Sequence, residues 1–104
     1  MTEAQSFTLL SAVTSAGAGT AANFQGKVAT AYTGVIRAAS VTSGGTMKIE
    51  AYFPGIADWV SIDTQTITAN GDYPVYWTGP IMGLRGNLSA RTDGTFTVEV
   101  IAQF

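Results

Sequence analysis

The chain has 104 residues, carries five Lys and Arg against seven Asp and Glu for a formal charge of −2, and contains neither Cys nor His. This composition excludes disulfides, thiolate metal sites and histidine-based acid–base chemistry. The five cations, Lys27, Arg37, Lys48, Arg85 and Arg91, are scattered rather than clustered, so no nucleic acid partner is expected.

A chain of 10.8 kDa should fold to roughly 5,500 Å² of accessible surface, enough burial for one core, and a single domain over 1–104 is expected. Between Glu3 and Lys27 the sequence is uncharged but rich in Ser, Thr, Gln and Gly. It has no basic leading region, so neither a targeting segment nor a membrane span is expected.

Taken in chain order, Phe7 to Val13 reads as a strand, with a helix over Glu3 to Val13 as the rival. Ala16-Gly17-Ala18-Gly19 reads as flexible, so residues 1–19 are a candidate flexible or docking segment, and a short extended piece follows around Ala22 to Gln25. Gly34 to Val41 and Thr46 to Phe53 are predicted to pair as a hairpin through Ser43-Gly44-Gly45. In the second of these strands Met47, Ile49, Ala51 and Phe53 alternate with Lys48, Glu50 and Tyr52. Pro54-Gly55 then breaks the ladder and Trp59 to Asp63 resumes it.

The chain turns at Ala69-Asn70-Gly71-Asp72. Tyr73 to Trp77 follows as a short strand ended by Gly79-Pro80, and Pro74 marks it as a sheet edge. In Leu84 to Arg91, residues Leu84, Gly86, Leu88 and Ala90 should face inward. Asp93-Gly94 predicts a hairpin into the last strand, where Phe96, Val98, Val100 and Ala102 share one face. Seven to eight short strands at regular spacing predict an all-β fold, a single antiparallel β-sandwich or jelly-roll.

Candidate chemistry is sparse. Carboxylates such as Glu50, Asp63 and Glu99 could supply a hydrolytic pair in principle, but Glu50 and Glu99 sit on polar strand faces and Asp72 and Asp93 in turns, where acids maintain solubility. No Asp-x-Asp-x-Asp-Gly calcium loop, Ser-x-x-Lys pair or phosphate-binding Gly-rich loop occurs, so no catalytic residue, metal or cofactor is expected. The aromatic residues concentrate between Tyr52 and Trp77. Trp59 fits a buried core anchor, whereas Tyr73, Tyr76 and Trp77, flanked by Pro74 and Pro80, fit an interface with a protein or a stacked sugar.

The succession Met47-Lys48-Ile49-Glu50-Ala51, a Pro-Gly turn, Trp59-Val60-Ser61-Ile62, a Gly-Pro-Ile approach to Leu84-Arg85-Gly86-Asn87-Leu88, and a closing Asp-Gly-Thr-Phe-Thr-Val-Glu-Val strand resembles small β-sandwich structural proteins of tailed bacteriophages. The resemblance spans about two-thirds of the chain, from Gly34 to the end. It implies a non-enzymatic virion protein, a capsid decoration or cement protein bound to the major capsid protein, or else a neck, tail or fibre component. It also implies a homo-oligomer, dimer or trimer, that is soluble before assembly. A carbohydrate-binding module using Tyr73, Tyr76 and Trp77 is the alternative from another class.

Overall fold

The computed structural model describes residues 4–24, 26–53, 55 and 58–104. Among them lie nine strands and no helix: β1 (Ala4–Val13), β2 (Gly17–Ala18), β3 (Ala22–Asn23), β4 (Ala29–Ala39), β5 (Gly45–Tyr52), β6 (Trp59–Ile67), β7 (Gly71–Ile81), β8 (Gly83–Arg91) and β9 (Thr95–Gln103). The first sheet runs β1-β9-β4-β7 and the second β2-β8-β5-β6, with β3 also on β8. Every ladder is antiparallel. Counting β2 and β3 as one interrupted strand along β8, the architecture is an eight-stranded jelly-roll, as the strand spacing predicts.

The core fills the space between the sheets with the alternate residues that the sequence marks as apolar. Phe96, Val98, Val100 and Ala102 of β9 face Met47, Ile49 and Ala51 of β5 and Leu84 and Leu88 of β8, all buried. The accessible surface of 5494 Å² is that expected for a chain of this mass. β1 holds the strand expected at Phe7 to Val13, starting three residues earlier, and the helical alternative does not form. The described part of the 1–19 segment thus contains β1, paired with β9, and β2, paired with β8. Of the expected extended piece, Gln25 lies outside the described residues, as do Pro54, Ile56 and Ala57 of the expected ladder break.

Both predicted hairpins are corrected by the structure. β4 belongs to the first sheet and β5 to the second, so Ser43-Gly44-Gly45 carries the chain across the sandwich. β8 and β9 are likewise in different sheets, and Asp93-Gly94 is a second crossing. The turn chemistry itself is right, since Gly94 adopts φ 102° and Gly44 φ 82°. Asp-Gly specifies a local reversal with positive φ at the glycine, which an arch between sheets can use as well as a hairpin within one. The hairpin that does form joins β5 to β6, pairing Tyr52 with Trp59 and Gly45 with Ile67.

Of the four crossings at one end of the sandwich, three, 40–44, 68–70 and 92–94, are tied together by hydrogen bonds. Asp93 Oδ1 accepts the N–H groups of Thr42 (2.9 Å), Ser43 (3.1 Å) and Gly44 (2.9 Å), and the Gly44 carbonyl accepts the N–H of Thr92 (2.8 Å). Asn70 Oδ1 accepts the N–H of Val41 (2.7 Å). A Cβ at Gly44 would overlap the Ile67 carbonyl oxygen, so only glycine fits there.

Two strand expectations differ in detail. β7 continues through Gly79-Pro80 to Ile81: it is the edge of the first sheet, pairing only with β4, and its register shifts between Thr78 and Ile81, so Gly79 and Pro80 lie opposite the single residue Thr30 in a bulge, a place where proline is tolerated. Pro74 therefore does sit on an edge strand. Ala90, expected inward, is exposed because β8 has an extra residue at Ser89: Thr46 pairs with Ala90 but Met47 with Leu88.

One buried pair is polar. Tyr32 and Trp77 are directly opposite on β4 and β7, and the Tyr32 hydroxyl and Trp77 Nε1 are buried with no hydrogen-bond partner among the described residues. Burial raises the Tyr32 hydroxyl beyond its ordinary range, and the nearby Asp63 carboxylate adds to the shift. An unpaired buried hydroxyl stabilises nothing, so Tyr32→Phe should leave unfolding free energy unchanged or raise it by about 1 kcal/mol in urea titrations.

Asp93 supplies a pH test. Its carboxyl is held below the usual value of 3.8, chiefly by the N–H of Thr42, then by those of Gly44 and Ser43, with Arg91 a smaller aid. A depressed folded-state pKa contributes stability above the unfolded value, and this is lost as pH falls through the folded one. Asp93→Ala should therefore melt below wild type by a gap that is constant above about pH 5 and closes as the pH falls below the unfolded carboxyl value.

Candidate functional site

The cross-strand register concentrates polar and aromatic side chains on the outer face of the second sheet. Because Met47, Ile49 and Ala51 turn inward, Lys48, Glu50 and Tyr52 turn out; because Leu84 and Leu88 turn inward, Arg85 and Asn87 turn out. β5 pairs Glu50 with Arg85 and Tyr52 with Trp59, which brings residues from three strands together.

Arg85 Nε donates to Glu50 Oε1 at 2.6 Å, and Asn87 Nδ2 approaches Glu50 Oε2 at 3.5 Å. The Arg85 guanidinium lies 4.6 Å above the Trp59 ring, and Trp59 meets Tyr52 edge-on at 5.5 Å. Glu50 is 9% exposed, which makes it the buried charge of the described residues, and its partner holds it there. A fixed guanidinium between a carboxylate and an indole forms a rigid, preorganised patch.

Beside the patch lies an open cleft of about 310 Å³, with Ala21, Ala22, Gly26 and Gly83 as its small residues and Tyr52, Trp59 and Met82 as its bulkier walls. Its size and lining suit one apolar or aromatic side chain inserted from a partner.

Trp59, expected as a core anchor, is half-buried on this outer face. The core is anchored instead by fully buried Tyr32 and Phe96. The reason is register: Trp59 sits opposite Tyr52, whose neighbours Ala51 and Phe53 take the inward positions.

The three interface candidates on β7 part company. Tyr73 and Trp77 share the inward face with buried Val75 and pack on the core margin, where the Tyr73 hydroxyl donates to the Ala69 carbonyl at 2.7 Å and Trp77 meets the Phe53 ring at 6.3 Å. Tyr76 points the other way and is 75% exposed. It stands beside a groove of about 430 Å³ over the outer face of the first sheet, bordered by Thr8, Thr33, Val35, Glu99 and Ile101.

The acids also separate. Glu50 lies on the outer face of the second sheet and Glu99 on that of the first, while Asp63 pairs with inward-facing Ile49 and accepts a hydrogen bond from Gln65 Nε2 at 3.1 Å. Among the described residues no three acids are brought together as a metal site.

Sequence reasoning placed Glu50 and Arg85 on polar strand faces and missed their meeting. The pairing joins residues 35 positions apart on β5 and β8, and nothing local in the sequence marks those strands as neighbours.

No protein-family model matches the chain, and no curated protein matches its sequence. Its fold is nonetheless shared by solved structures. The chain is similar to the SPBc2 prophage-derived protein YomS, with TM-score 0.66 at 13% identity over 100% of this chain and 96% of that one. It is also similar to a chain in the structure of infectious bursal disease virus Gx strain, with TM-score 0.54 at 11% identity, over 99% of this chain but 32% of that one. At these identities the likeness is one of fold.

Proposed function

We propose that the chain is a non-enzymatic structural protein of a bacteriophage virion, a decoration or cement protein that binds the major capsid protein and stabilises the head. The observation that carries this reading is the end-to-end likeness in fold to a prophage-derived protein of nearly the same extent. The likeness in fold to part of a chain in a virus structure supports it. The protein would then be soluble before assembly and surface-bound afterwards.

The docking element in this reading is the Trp59–Arg85–Glu50–Tyr52 patch with its adjoining cleft. Its side chains are already fixed by one another, so little conformational freedom is lost when a partner covers them. Aromatic and Arg residues beside a pocket are the usual carriers of interface energy. Many identical capsid sites multiply a modest affinity per subunit.

The same patch favours one second reading, a glycan-binding module, since an indole edged by carboxylate, guanidinium and carboxamide groups can stack and hydrogen-bond a sugar.

Mixing the purified chain with capsids of the encoding phage that lack it decides between these. Co-sedimentation should saturate at a fixed copy number per capsid, and Trp59→Ala should weaken it by at least about tenfold. Binding to neck or tail fractions alone would relocate the protein within the virion, and binding to none of them, with glycan-array signal lost in Trp59→Ala, would favour the sugar module. Arg85→Ala should lower stability by about 2 kcal/mol in denaturant titrations, because it leaves the Glu50 carboxylate buried without its partner.

A further inference from the structure

The outer face of the first sheet carries both a projection and a recess. In-register pairing sets Ser6, Ile101, Thr33 and Tyr76 in one row across β1, β9, β4 and β7, and Thr8, Glu99, Val35 and Pro74 in the next. Tyr76 and Ile101, exposed to 75% and 45%, thus stand on the same row, one two strands from the other. The groove lies over β1, β9 and β4, and Tyr76 stands on β7 beside it.

We propose that this face is the interface of a homodimer, in which Tyr76 of each copy fills the groove of the other. The symmetry follows from the strand order. β9 and β7 flank β4 on opposite sides, so a two-fold axis running along β4 between two facing sheets lays β7 of one copy over β9 of the next. Such an axis preserves height along the strands. Tyr76 of one copy therefore stands over Ile101 of the second, and its hydroxyl reaches the Glu99 carboxylate one row along.

Chemistry and size fit a second copy. An isologous interface requires complementary features on one patch, and here the donor, Tyr76, and the acceptor, Glu99, are both on it. Arg37 lies beyond the Pro74 row and is compensated by Asp72 at 3.9 Å, so it does not confront the groove. Four strands at ~4.8 Å spacing and about nine residues at ~3.4 Å rise give ~600 Å² of face per copy, hence ~1,200 Å² per dimer, above the ~1,000 Å² that a specific interface needs.

The dimer is independent of what the second sheet binds, so its test uses the isolated chain. Sedimentation equilibrium should show a monomer–dimer equilibrium, and Tyr76→Lys should raise its dissociation constant by roughly thirtyfold, with unchanged circular dichroism. The chain has no Cys, so Tyr76→Cys and Ile101→Cys variants, mixed and treated with a bis-maleimide spanning about 10 Å, the spacing of packed sheets, should give the mixed cross-linked dimer. A wild-type monomer at every concentration, a dimer indifferent to Tyr76→Lys, or no mixed cross-link would each overturn the proposal.

Discussion

The Asp93 carboxylate ties together two of the crossings on which the topology of this molecule depends, 40–44 and 92–94. Four chain segments, 14–16, 40–44, 68–70 and 92–94, pass between the sheets at that end of the sandwich, and backbone N–H groups in such crossings must find partners outside the ladders. One carboxylate accepts three N–H groups, from residues 42–44, and the Gly44 carbonyl accepts in return from the backbone N–H groups of Thr92 and of Asp93 itself. With the crossings pinned side by side, β4 enters the first sheet beside β9 while β5 enters the second beside β8. The Glu50–Arg85 pairing on the far face depends on that placement, since it exists because β5 and β8 are neighbours in the right register.

This dependence explains what could be read from the sequence. Alternation in β5 and β9 is a local property, and it assigned Met47, Ile49, Phe96 and Val98 to the core without reference to any partner strand. The Asp93-Gly94 signal was also local, and it correctly marked a reversal with positive φ at the glycine. Which strands meet across the reversal is a property of the whole chain. A hairpin and an arch differ in where the next strand lands, and that is fixed by side chains such as Asp93 reaching about fifty positions back. Trp59 was misplaced for the same cause, because its face is set by pairing with Tyr52 rather than by its own neighbours. The β7 aromatics show the limit of counting residues: period two splits Tyr73 and Trp77 from Tyr76, although composition groups them.

The edges of the two sheets constrain how the protein can meet others. β7 carries Pro74 and Pro80, which cannot donate to a foreign strand. β6 has an irregular register between Asp63 and Ser61 and turns the Asp63 charge inward, and β1 shifts register twice along β9. The remaining edge is interrupted, being shared between the two-residue strands β2 and β3. All of these are devices that discourage strand addition. Association through edges is thereby disfavoured.

The two faces are chemically unlike, and the two proposals rest on that difference. The first carries a projecting Tyr76 beside a groove bordered by Ile101, Val35, Thr33 and Glu99, the complementary features that the proposed dimer uses. The second presents a charged and aromatic patch, Glu50–Arg85–Trp59–Tyr52, beside a cleft. Burying the first face in a dimer turns the two copies of the second outward in opposite directions. On the proposed readings of the two faces such a dimer would be bivalent, and linking two weak sites raises their combined affinity far above either alone.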